Sequence, residues 1–96
     1  MSRSAPRLLS GALENLTAEL APATTLARVQ GIWELAAGQG IAAAARPSAE
    51  RGGVLTVTCA AAVWAQELDL MAGELIARLN DALGESAITE LRCRTG

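Results

Sequence analysis

Residues 51–59 read RGGVLTVTC, and this stretch decides the fold. Leu55, Val57 and Cys59 alternate with Thr56 and Thr58, a period of two that predicts a strand over residues 54–59 with one apolar face. The preceding Arg51-Gly52-Gly53 is a turn, because successive glycines take positive φ without steric cost. Two glycines flanked by strands are too few for a phosphate-binding loop. A tight turn requires a partner, and residues 46–50 are predicted to supply a short one. Pro47 lacks an N–H for an interior ladder, so this partner belongs at a sheet edge.

Upstream of the hairpin the period changes. Leu26, Val29, Trp33 and either Ile32 or Ala36 share one helical face, with Thr24 or Thr25 placed to cap its start. Gly38 is expected to end that helix in the left-handed conformation, and residues 41–45 to add a short extra turn before Pro47. Further upstream, a helix is expected from Pro6, with Leu9, Leu13, Leu16 and Leu20 on one stripe and Pro22 turning the corner after it. Downstream, residues 61–83 are predicted as one long helix whose stripe is Trp64, Leu68, Met71, Leu75, Leu79 and Leu83, widened by Ile76. Gly84 suits its C-cap. A last strand is expected over residues 88–94, with Leu91 and Cys93 inward and Glu90, Arg92 and Arg94 outward. The order α-α-β-β-α-β predicts an α+β fold in which helices cover one face of a three-stranded sheet. Residues 1–96 are expected to form one domain, with residues 1–5 frayed.

Composition narrows the chemistry. The chain has 96 residues, 51% hydrophobic and 19% charged with a net charge of −2, which is too apolar for disorder and too weakly charged for an electrostatic tail. Histidine is absent, which removes imidazole-based nucleophile pairs and zinc sites. Cys59 and Cys93 form no Cys-x-x-Cys pair, and their inward positions on two strands predict small buried thiols rather than a redox couple. The opening MSRSAPRLLSGALENL is interrupted by Glu14 and Asn15 before it reaches signal-peptide length, and no run is long enough to span a membrane. The expectation is a soluble, cytoplasmic, thiol-reduced protein that needs no cofactor or metal and catalyses no reaction.

Taken together, WELAAG, IAAAARP, RGGVLTVTC, VWAQELDLMAGELIARLNDALG and ITELRCR resemble the DciA-type family of bacterial replicative helicase loaders over roughly residues 8–95. The matching positions are Trp33, Gly38, Pro47, Gly53, Leu55, Val57, Trp64, Ala65, Leu68, Leu79, Asn80, Leu91 and Arg92. The resemblance implies a KH-like fold without the Gly-x-x-Gly loop of true KH domains. It also implies binding to a DnaB-type helicase and contact with single-stranded DNA. The sequence departs from the family pattern at Ala60-Ala61-Ala62, where a polar lead into the Trp-Ala helix would cap it, and at Cys93, where an aromatic is usual. No basic extension flanks the matching region, and the expectation is therefore a minimal or divergent member.

Most matching positions are apolar or turn residues and speak for the fold rather than the activity. On their apolar stripes, Trp33 and Trp64 are expected to be core anchors, each indole N–H finding a carbonyl. Glu67, Asp69, Glu74 and Asp81 lie off the stripe of the long helix, as solubilising carboxylates do. Arg92 and Arg94 point outward on the last strand, with Arg46 and Arg51 flanking the hairpin, on a face that is either simply solvated or able to pair with phosphates. Three functions stay open on this reading. They are a non-enzymatic accessory of the replicative helicase, a stand-alone nucleic-acid binder using the open sheet face, and an oligomeric scaffold built by exchange of edge elements.

Overall fold

A computed structural model of the chain describes residues 24–96. The expected helix bearing Leu9, Leu13, Leu16 and Leu20 lies outside the described residues. Within them the order is α1 (Thr25–Ala37), α2 (Gln39–Ala44), β1 (Ala45–Arg51), β2 (Val54–Cys59), α3 (Ala62–Leu70), α4 (Ala72–Leu83) and β3 (Glu90–Thr95). The strands form one sheet in the order β1-β2-β3, antiparallel between β1 and β2 and parallel between β2 and β3. The parallel pair follows from the connection: Cys59 and Glu90 are joined through two helices, which return the chain to the same end of the sheet. The fold is α+β, with the helices gathered on one sheet face.

Thr24 caps α1, its Oγ1 accepting the Ala27 N–H at 3.0 Å. Gly38 ends α1, but not in the left-handed helical region that was expected. At φ 95° and ψ 157° it occupies an extended positive-φ region that is essentially glycine's own. This geometry reverses direction in one residue, so Gly38 closes α1 and starts α2 at once. Gly52 and Gly53, at φ 57° and 90°, make the two-residue hairpin turn, with Arg51 pairing Val54 across it.

The predicted single helix over residues 61–83 is two helices. Met71 stands between them at φ −107° and ψ 20°, its N–H directed to the Glu67 and Asp69 carbonyls. The bend has a packing cause: α3 lies against β2 and β3, whereas α4 packs on α1. A straight helix would align both halves with only one of these surfaces. Ala61 offers no side-chain cap to α3, as the alanine run implies. Gly84 is left-handed at the end of α4, as expected.

The core is built from Val29, Trp33, Leu55, Val57, Cys59, Leu68, Leu75, Leu79, Ile88 and Leu91, with small alanines where α1 meets β1. Trp33 is 5% exposed and donates its indole N–H to the Ala45 carbonyl at 2.9 Å. This bond joins α1 to β1 from inside. Trp64 differs from the expectation of a core anchor: it is half-buried at the margin of the core, one turn into α3. The last strand begins at Glu90 rather than residue 88, because Asn80 takes both backbone groups of Ile88. Asn80 Nδ2 donates to the Ile88 carbonyl, and Oδ1 accepts the Ile88 N–H, each at 2.9 Å.

Candidate nucleic-acid interface

Strand register alone assigns the second face of the sheet. Ladder partners point the same way, so Thr58 places Arg46 and Arg94 beside it, and Thr56 places Ala49 and Arg92. Val54 likewise groups with Arg51 and Glu90. All four arginines singled out in the sequence, Arg46, Arg51, Arg92 and Arg94, therefore stand on the face opposite the described helices, and all four are exposed. Arg46 and Arg94 sit across β2 from one another, about 10 Å apart by the spacing of strands.

The two carboxylates near these arginines do different things. Glu50 turns its Oε2 to the Gly53 N–H at 2.8 Å and is committed to the hairpin turn. Glu90 meets Arg92 Nε at 3.4 Å, a solvent-exposed contact of little strength. Among the described residues Arg46, Arg51 and Arg94 have no carboxylate within salt-bridge distance. On the helical side, by contrast, Arg28 is paired with Glu85 and Arg78 with Glu74. The strands carry four Arg against two Glu, whereas the described helices and the segment after α4 carry two Arg against six carboxylates. The small net charge hides a strong separation.

Sequence reasoning missed Ser48. A register shift between Pro47 and Ala49 makes it a bulge residue. Its hydroxyl lies 2.8 Å from Thr58 Oγ1 and 3.3 Å from the Thr56 carbonyl. The signal was available: a serine following a strand proline offers a side-chain partner where the ladder is interrupted. Toward the hairpin end, Ala49, Glu50, Arg51, Val54, Thr56 and Arg92 line a concavity of about 300 Å3. No aromatic stands on this face, because the only two are Trp33 in the core and Trp64 on α3. What the surface offers is guanidinium and hydroxyl donors for phosphate oxygens, without a platform for stacking bases.

The remaining family-pattern residues sit where a scaffold needs them. Leu55, Val57, Leu68, Leu79 and Leu91 are in the core, and Pro47 is buried on the edge strand against Val57. Gly38 and Gly53 hold positive-φ turns, and Asn80 clamps the approach to β3.

Cys59 and Cys93 face inward from neighbouring strands, both as free thiols. Burial pushes both upward, and the nearby Asp69 carboxylate adds to it. Cys93 is pushed up to about 12, by burial first and by Asp69 second. Neither is a nucleophile at neutral pH. Among the described residues no group of three His, Cys, Asp or Glu is placed to hold a metal ion, and no helix is long and apolar enough to cross a membrane.

Comparison with known proteins gives a family-model match, described as "Dna[CI] antecedent, DciA", over residues 6–93. The chain is 33% identical to a UPF0232 protein of Rhodococcus jostii over 85 residues, covering 85% of this chain and 45% of that protein. It is 32% identical to a UPF0232 protein of Mycolicibacterium smegmatis over 89 residues, covering 91% of this chain and 46% of the relative. A UPF0232 protein of Mycobacterium tuberculosis is 36% identical over 64 residues, which is 67% of this chain and 34% of that one. The chain thus spans less than half the length of the relatives it matches.

Proposed function

The chain belongs to the DciA family, and from that premise we propose that it is a non-enzymatic accessory of DNA replication. It associates with a DnaB-type replicative helicase and contacts single-stranded DNA through Arg46, Arg51, Arg92 and Arg94. The observation that carries the DNA part is the gathering of these four arginines on one open sheet face while most carboxylates lie elsewhere. A chain of net negative charge opposes binding to a polyanion unless its cations are collected in this way. With phosphates directed to the sheet, the acidic helical layer is the surface left for the helicase. Charge of that kind fixes orientation and discriminates against wrong partners.

The action is one of placement. Preferential binding to one state of the helicase or of its DNA complex shifts the population toward that state, with no bond chemistry by this chain. Nucleotide hydrolysis belongs to the helicase.

Fluorescence anisotropy of a labelled single-stranded oligonucleotide, with and without the DnaB-type helicase, tests the reading. The chain is expected to bind the helicase, and the ternary mixture to hold the oligonucleotide more tightly than either protein alone. No association with the helicase at high micromolar concentration overturns the proposal.

A further inference from the structure

We propose that two copies of this chain join through the outer edge of β3, pairing antiparallel to make one continuous sheet. The contact requires neither helicase nor DNA and so goes beyond the functional reading.

The strand order β1-β2-β3 leaves two edges. β1 is blunted by Pro47 and by the bulge at Ser48, which both interrupt a row of main-chain groups. β3 has neither device: ELRCRT holds no proline, no glycine and no register shift against β2. Its two ends fix which way its main chain points. The Glu90 N–H reaches the Gly53 carbonyl at 3.3 Å, and the Gly96 N–H reaches the Cys59 carbonyl at 3.2 Å. Even-numbered residues therefore turn their main chain to β2, and Leu91, Cys93 and Thr95 turn theirs outward. Among the described residues no strand lies beyond them. Cys93 is half-buried and Thr95 exposed, so this edge can be reached.

Charge selects a second copy as the occupant. When Leu91 of one chain pairs with Cys93 of the other, the two residues exchange both of their N–H···O bonds. The two-fold axis supplies that pair twice. The same register sets Glu90 opposite Arg94 of the partner, again twice, on the face opposite the described helices. Opposite charges facing each other across antiparallel strands stabilise the pairing. Arg92 meets its own copy at the axis, each guanidinium accompanied by Glu90 of its own chain at 3.4 Å. Neighbouring registers are worse. Sliding one way sets Arg92 opposite Arg94. Sliding the other way calls on the Thr89 N–H, which the Gly53 carbonyl already holds at 2.8 Å. Glu-x-Arg-x-Arg along an unblunted edge is thus complementary to itself at its ends, as an isologous contact demands. The contact is short, which places the dimer in the weak, transient class.

Sedimentation of the full chain under reducing conditions, without nucleic acid and at up to about 1 mM, tests the proposal. A concentration-dependent monomer–dimer equilibrium is expected. Glu90→Arg and Arg94→Glu should each weaken it by about tenfold, because two favourable pairs become two like-charge pairs. The double exchange Glu90→Arg with Arg94→Glu should return it to within about threefold of the original. An equimolar mixture of the two single variants should also dimerise, since each then faces opposite charge at both ends. Unfolded chains would not recombine in this way, so the mixture separates lost pairing from lost folding. A monomer at every concentration overturns the proposal. A dimer indifferent to either single variant, or one that neither the exchange nor the mixture restores, overturns it as well.

Discussion

Asn80 commits both ends of its amide to Ile88, donating to the carbonyl and accepting the N–H at 2.9 Å each. Ile88 is itself 1% exposed, so these backbone groups have little water to fall back on. Asn80→Ala leaves a donor and an acceptor unmet, at about 1–3 kcal/mol for each group that stays dry. The expected loss is about 2–4 kcal/mol in urea unfolding. Asn80→Asp should recover less than half of it, because its second oxygen faces the Ile88 carbonyl. A loss under about 0.5 kcal/mol for Asn80→Ala would show that water replaces the clamp.

A second residue-scale prediction concerns alkali. The chain has no Tyr and no His, and its eight cations are all Arg, so between pH 9 and 12 its titrating side chains are Cys59 and Cys93. Cys93 is raised from 9.0 to about 12 by burial and by Asp69. The folded chain then keeps a proton that the unfolded chain gives up. Its contribution is fully present below about pH 9 and is lost as the pH climbs toward 12. Denaturant midpoints are expected to fall across that window, and Cys93→Val is expected to flatten part of the fall. Asp69→Asn should speed alkylation of Cys93 at pH 9, though only in part, because burial is the larger cause. Unchanged midpoints from pH 8 to 11 would contradict the account.

Among the elements, the hairpin turn separates two glycines that look alike in sequence. Gly52 has φ 57° and nothing within 4 Å of an added Cβ, whereas a Cβ at Gly53 meets Thr89 Oγ1 at 2.8 Å and the Ala87 carbonyl at 3.4 Å. Gly52→Ala should cost about 1 kcal/mol, the strain of a left-handed alanine. Gly53→Ala should cost about 1–2 kcal/mol more, because it also forces apart the turn and the approach to β3. Gly52→Asn is expected to be nearly neutral, since asparagine suits the first position of this turn. Thermal unfolding of the three variants ranks them, and equal costs at Gly52 and Gly53 would refute the contact argument. Both glycines were legible as a turn because turn chemistry is local. The strand over residues 54–59, a threonine cap at residue 24 or 25 and the Gly84 end were legible for the same reason, and the structure puts the cap at Thr24. The break at Met71 was not, since the stripe from Trp64 to Leu83 keeps one period through it. It arises from two different packing partners, which periodicity does not record. The late start of β3 was hidden likewise, because it depends on a hydrogen bond from a residue eight positions away.

For the molecule as a whole, the candidate interface was legible residue by residue, while its unity was not. Alternation gave Arg92 and Arg94 one side of a strand, but only the ladder pairing sets Arg46 beside Thr58 and Arg94, and Arg51 beside Val54 and Glu90. The bulge at Ser48 shifts that pairing by one residue partway along β1, which no local pattern announces. The assembled face makes a quantitative prediction. If four guanidinium groups each neutralise one phosphate of a single strand, the logarithm of affinity falls against the logarithm of salt with a slope of about −3. Arg92→Ala with Arg94→Ala should reduce the slope to about −1.4 and weaken binding similarly for every base sequence, because the face holds no stacking ring. Arg28→Ala with Arg78→Ala removes the same formal charge from the helical side, where both guanidiniums are already paired with carboxylates. That control should leave the slope near −3. Anisotropy titrations at four or more salt concentrations separate the cases. Equal changes from the two double variants would mean that overall charge, and not the sheet face, governs the binding.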